Sequence, residues 1–150
     1  MIGLLQRVTH AEVHIAGESV AAIGEGLLVL VGVERGDDAA TAGRLLERLL
    51  GYRVFADAAG RMNRSLADTG GGLLLVPQFT LLADTRKGSR PGFSGGADAA
   101  EAQSRFAELE AAARSRHSPV AAGVFGADMQ VSLCNDGPVT FWLQVPPREP

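Results

Sequence analysis

Two short segments carry residues whose types and order could support chemistry. The first is Pro77-Gln78-Phe79-Thr80-Leu81, at the end of the apolar run Leu73 to Val76. Proline has no N–H to give a strand ladder, so pairing is expected to falter there and free the amides of Gln78, Phe79 and Thr80. Free amides at a fixed position can hold the oxyanion formed when an ester is hydrolysed. The plainer alternative makes Phe79 and Leu81 core residues and Thr80 a strand former. The second segment, Asn135-Asp136-Gly137-Pro138-Val139-Thr140, joins two stretches of alternating hydrophobicity. On composition alone it is a hairpin turn.

Other chemistries lack their residues. His10 and His14 have the i,i+4 spacing of a helical zinc pair, but their segment alternates like a strand, where four residues span about 13 Å. Cys134 is the single cysteine, so neither an internal disulfide nor a cysteine-based zinc site is expected, which fits a reducing compartment. His117 reads as an ordinary histidine near a helix end. There is no G-x-S-x-G elbow, and Gly70-Gly71-Gly72 lacks the Lys-Ser/Thr of a phosphate loop.

The elements that must position these segments follow from periodicity. Ile2 to Val8 and Ala11 to Ile15 read as strand, Ala16 to Ser19 as a turn, and Val20 to Ile23 as the returning strand of a hairpin. Leu27 to Val33 is a continuous apolar run, expected to be a central strand buried on both faces. Between Asp38 and Gly51 the period becomes helical, with Ala42, Leu45, Leu46, Leu49 and Leu50 on one face and an aspartate to cap the start. Tyr52 to Phe55 reads as a short strand, Leu73 to Val76 as another buried strand, and Asp84 to Gly96 as a long irregular segment. A second helix opens at Asp98, with Ala102, Phe106, Leu109 and Ala113 inward and Glu101/Arg105 and Glu110/Arg114 at i,i+4 outside. Met129 to Leu133 and Val139 to Val145 complete the strands.

Seven or eight strands and two helices, with consecutive strands at the start, predict an α+β domain: a mostly antiparallel sheet or barrel flanked by two helices. The 150 residues suit one domain spanning 1–150. With 46% hydrophobic and 21% charged residues and no bilayer-length apolar stretch, neither disorder nor membrane insertion is expected. The first nine residues lack the pattern of a secretory signal, so a cytoplasmic location is expected. The net charge of −3 gives no overall positive field toward nucleic acid, yet Arg86, Lys87 and Arg90 crowd one Gly/Ser-rich stretch, and Arg61 and Arg64 another. A solvated loop is the ordinary reading of such a cluster.

Taken together, Gln78-Phe79-Thr80-Leu81 and Asn135-Asp136-Gly137-Pro138-Val139-Thr140 resemble the two signature motifs of the D-aminoacyl-tRNA deacylases. The likeness extends over nearly the whole chain, through Gln6-Arg7-Val8 in the opening strand, Gly51-Tyr52-Arg53-Val54-Phe55, Met62-Asn63 and Ala127-Asp128-Met129-Gln130-Val131-Ser132-Leu133. One position departs: the family's first motif usually opens with serine, where this chain has Pro77.

The resemblance implies hydrolysis of the ester between a D-amino acid, or mischarged glycine, and the terminal adenosine of tRNA, with no cofactor or metal. Gln78, Phe79 and Thr80 would meet the ester through main-chain groups, while the adenosine 2′-hydroxyl helps activate water; Thr80 is the alternative nucleophile, though poorly activated without a base. Gly137-Pro138, held cis, would enter the active site of a partner subunit and exclude L side chains, with Val139 and Thr140 completing the substrate-binding segment and Arg7 and Met129 supporting the wedge or lining the pocket. That arrangement implies a homodimer. Arg86, Lys87 and Arg90 would meet phosphates near the acceptor end. Two rivals stand beside it: a non-catalytic nucleic-acid-binding module, and an editing domain acting on another misacylated tRNA.

Overall fold

The computed structural model describes residues 1–149. Its first element, β1 (Ile2–Ile15), is one uninterrupted strand where two were expected. It turns back at Ala16-Gly17, both with positive φ (50° and 80°), the geometry of a two-residue hairpin loop, into β2 (Glu18–Ile23). β3 (Gly26–Gly32) then pairs antiparallel with the other half of β1. Its unbroken apolar run has the expected cause: Leu27, Val29 and Val31 enter one core cluster while Leu28 enters a second on the opposite face.

Helix α1 (Ala39–Gly51) starts at Asp38, whose carboxylate accepts the Thr41 amide at 2.7 Å, and buries Leu45, Leu46 and Leu49 completely. Truncating one of these leucines to alanine costs about 2–5 kcal/mol. Tyr52 to Val54 is not strand; the short hairpin beyond it is β4 (Phe55–Ala56) with β5 (Met62–Arg64). A one-turn helix, α2 (Leu66–Thr69), follows, capped by Ser65.

β6 (Gly72–Pro77) lies parallel to β3, with Leu73 and Leu75 in the first core cluster and Leu74 and Val76 in the second. A 3-10 turn (Phe79–Leu82) and a loop lead to α3 (Ala99–Arg116), which buries the predicted Ala102, Phe106, Leu109 and Ala113. On its outer face Glu110 pairs with Arg114 as expected, whereas Arg105 takes Glu108 and not Glu101. β7 (Val120–Ala122), read as loop in the sequence, adds parallel to β6, and β8 (Gln130–Gln144) returns along the whole of β1. The sheet order is β2-β1-β3-β6-β7, with β8 also on β1.

The fold is α+β and nearly barrel-shaped, with two corrections. The sheet is mixed, because the helical crossovers from β3 to β6 and from β6 to β7 each force a parallel neighbour. Helices number three among the described residues, since α2 is too short for periodicity to reveal. The Met1 ammonium is buried against Asp37 and Glu34, both at 2.7 Å, and fixes the start of β1. Burial pushes the Asp37 carboxyl above its ordinary value, while hydrogen bonds from the ammonium and the Glu34 amide pull the other way. No helix among the described residues is long and apolar enough to cross a membrane.

Candidate active site

Both segments singled out in the sequence sit where the sheet is irregular. The Asn135–Thr140 segment is not a hairpin turn: β8 runs antiparallel to β1 on both sides of it, with Gln6 opposite Thr140 and Val8 opposite Asn135. Between those two pairs β1 spends one residue, Arg7, and β8 spends four, Asp136 to Val139. The segment is therefore an excursion from a continuous ladder, a large relative of a bulge.

Arg7 lies at its foot and grips it. The guanidinium donates from Nε to the Asp136 carbonyl at 3.1 Å and from Nη1 to the Val54 carbonyl at 2.7 Å, and lies 3.5 Å from the Asp136 carboxylate. The Val54 contact gives the Gly51–Phe55 stretch its place, as does Tyr52 set edge-on to Phe141 with ring centres 5.5 Å apart. From the other side, Asn135 donates from Nδ2 to the Thr140 hydroxyl at 2.8 Å and accepts the Val139 amide at 3.2 Å. Gly137 has φ 127°, a conformation L side chains avoid, and its bond to Pro138 is cis. Asp136, Gly137 and Pro138 are exposed.

The first segment departs from expectation in one respect. Pro77 stays in register with Val31, and the Gln78 amide donates to the Val31 carbonyl at 2.8 Å, so that amide is committed to the sheet and is not free. Phe79 and Thr80 open the 3-10 turn, and the first amides of such a turn have no partner within it. Thr80 Oγ1 donates to Gln78 Oε1 at 2.7 Å. Its proton therefore goes to a neutral amide oxygen and not to a base that could activate it.

Phe79 is 63% exposed and packs on Phe93, ring centres 5.2 Å apart. It stands at the end of a cleft of about 440 Å³ on the sheet face away from the helices, lined in part by Gln6, Leu30, Gln78, Phe79, Met129 and Leu133. Met129 is among the residues lining it. Leu4, Leu30 and Trp142 form one cross-strand row on this same face, and Trp142 is 50% exposed, so the face is apolar and uncovered. Gly137 and Pro138 do not line the cleft.

Of the basic residues, Arg86 is already engaged: Nε and Nη2 hold the Asp84 carboxylate at 2.9 and 2.7 Å, and this contact with the Arg86 amide lowers the Asp84 carboxyl to about 2. Lys87 and Arg90 are exposed beside it around a shared surface hollow that Phe93 also lines. His10 and His14 lie on β1 as the strand reading expects, His10 beside Thr9 and His14 at 3.4 Å from Glu12. Signals missed in the sequence were Asn135 as a structural group, and Phe93, whose type alone marked nothing.

A family model described as D-Tyr-tRNA(Tyr) deacylase matches residues 4–144, which include both segments. The chain belongs to that family. Among its relatives, a D-aminoacyl-tRNA deacylase from Thioalkalivibrio sulfidiphilus is 64% identical over 98% of this chain and 99% of that protein. Another from Methylococcus capsulatus is 60% identical over 100% and 98%. A solved structure titled c-Myc DNA Unwinding Element Binding Protein is 36% identical, with a TM-score of 0.93 over 97% of this chain and 99% of that one. A probable eukaryotic D-amino acid tRNA deacylase, 16% identical at TM-score 0.82, shares the fold. Membership in the deacylase family makes the chain a hydrolase.

Proposed function

We propose that this deacylase hydrolyses the ester bond of D-aminoacyl-tRNA and of tRNA mischarged with glycine, working in the cytoplasm as a homodimer in which each subunit reads the handedness of the amino acid held by the other. The observation that carries this reading is a mismatch within one chain. The cleft ending at Phe79 has an uncovered apolar face, while the clamped Gly137-Pro138 dipeptide is exposed and fills none of it. A second copy related by a two-fold axis would cover the first and receive the second.

In that arrangement the aminoacyl ester lies against the Phe79 and Thr80 amides, which take the developing oxyanion, and the 2′-hydroxyl of the terminal adenosine orients water. Gln78 fixes the turn through its amide and accepts a hydrogen bond from the Thr80 hydroxyl through its side-chain oxygen. The partner's Gly-Pro wedge approaches the α-carbon and leaves room for hydrogen or a D substituent but none for an L side chain, so selectivity comes from exclusion. Val139 and Thr140 continue the wedge, Arg7 holds it and Met129 lines the pocket. Lys87, Arg90 and Arg86 face phosphates near the acceptor end, with modest, salt-sensitive affinity because the chain is acidic overall.

The deciding experiment incubates the purified protein with D-tyrosyl-tRNA and L-tyrosyl-tRNA and follows release of tyrosine. Selective release from the D ester supports the reading; binding without release points to a nucleic-acid-binding module, and equal release from both removes the steric wedge.

A further inference from the structure

The resemblance assigns Gly137-Pro138-Val139-Thr140 to the substrate, but the Thr140 hydroxyl is occupied with the side chain of Asn135. Asn135 and Thr140 stand at the two sides of the neck, each the last residue in register with β1 before the chain leaves the ladder. One carboxamide spans that neck, donating a hydrogen bond to the Thr140 hydroxyl and accepting one from the Val139 amide. An asparagine can do both at once because it is donor and acceptor in one short planar group. The assignment of its two ends is also forced, since turning the amide over would set an NH2 against an N–H.

We infer that Asn135 and Thr140 are positioning residues, which set the aim of the Gly137-Pro138 wedge without touching the reacting atoms. The inference rests on the wedge reading above. Arg7 alone grips the excursion from one side, at the Asp136 carbonyl and carboxylate. Asn135 grips it from the other, at Val139, so the dipeptide hangs between two fixed points. Cutting the second leaves it free to swing about the first, and an L side chain is then tolerated for the fraction of time the wedge is withdrawn. Two hydrogen bonds of ordinary net strength bias such an equilibrium by roughly 10- to 100-fold.

The test compares kcat/KM on D-tyrosyl-tRNA and L-tyrosyl-tRNA for the unmodified protein, Asn135→Leu, Asn135→Asp and Thr140→Val. Asn135→Leu removes both bonds and should lower the D-over-L ratio by roughly 10- to 100-fold, mostly through a rise on the L ester. Thr140→Val removes one bond and should fall between; it also carries the test should Asn135→Leu fail to fold. Asn135→Asp keeps the acceptor for Val139 and lets the Thr140 hydroxyl rotate to donate to the carboxylate, so the ratio should return to within a few-fold of the original. A ratio unchanged in Asn135→Leu, equal losses on both esters, or an aspartate variant as impaired as the leucine one each overturns the positioning role. If the unmodified protein does not itself distinguish the two esters, the wedge reading fails first and this inference with it.

Discussion

Replacing Gly137 by alanine sets two energies against each other. The residue sits at φ 127°, and an alanine held there pays about 1–3 kcal/mol in backbone strain. The new methyl would stand 2.7 Å from Val139 Cγ2 and 3.1 Å from both the Val139 nitrogen and Arg7 Nη2. One of these neighbours is backbone and another is the guanidinium that grips the loop, so relief by side-chain movement disturbs the grip. Crowding of this kind adds about 1–3 kcal/mol. Against this total stand the bonds from Arg7 to Asp136 and from Val139 to Asn135, together with the Asn135–Thr140 bond, each about 1 kcal/mol net. The strain, about 2–6 kcal/mol in all, matches or outweighs the roughly 3 kcal/mol of these bonds over most of its range, so the loop should leave its position while β1 and β8 stay paired above and below it. Hydrogen exchange at the Val139 amide should then rise by more than tenfold, with little change at Leu5, Val13 or Leu143, and melting should fall by only a few degrees. In the hydrolysis assay the variant should lose much of its preference for the D ester. An alanine variant that keeps Val139 protected and its preference intact would refute the balance of energies drawn here.

Four further outcomes follow. Thr80→Val should keep most of the hydrolytic rate, because the hydroxyl donates to Gln78 and no base attends it; near-complete loss with an intact fold would make Thr80 the nucleophile. Reversing Arg86, Lys87 and Arg90 to glutamate should weaken tRNA binding and flatten its salt dependence far more than it slows hydrolysis of a short aminoacyl-adenosine mimic, and equal losses would remove the patch from the substrate path. Asp37→Ala should destabilise the fold by about 3 kcal/mol, or roughly 6–12 °C in melting temperature, since it strips a buried carboxylate from the Met1 ammonium and leaves it only Glu34 and the Val145 carbonyl. The Asp84 carboxyl should titrate at about 2 when followed by NMR. Because that value is depressed, the favourable pairing with Arg86 is complete above the ordinary 3.8 and is lost only as the pH drops through about 2; a midpoint near 3.8 would mean that Arg86 is free in solution.

The parts of this molecule legible from sequence are those where one local rule governs many residues. α1 and α3 show their buried stripes and capping aspartates, and β3 shows the continuous apolar run of a strand covered on both faces. α2 and β7 are three or four residues long, below the length at which any period can be seen. The parallel placement of β6 depends on helical crossovers and not on its own residues. At the candidate site, Pro77 was a misleading guide: it lacks an N–H, but in a parallel pair the next amide, that of Gln78, still reaches Val31. Asn-Asp-Gly-Pro between two alternating stretches has the composition of a hairpin, and nothing local says that both stretches pair with the same strand. The two motifs were identified by likeness to a family; their separate surroundings, one in a cleft and one exposed, needed the three-dimensional structure.

The excursion also governs arithmetic farther along the chain. Val131 and Leu133 lie on the cleft side of the sheet, whereas Phe141 and Leu143 pack toward the helices, although all four are odd-numbered. A strand running straight through would have put them on one side. Stepping five residues on β8 while β1 steps two exchanges the faces, so the segment that bears the Gly-Pro dipeptide is also the joint that sends Phe141 and Leu143 inward. Inserting or deleting a single residue there would invert the distal half of β8 and turn its core residues to water, whereas a change of two would preserve them. Variation in the reach of this loop is thereby restricted to even increments.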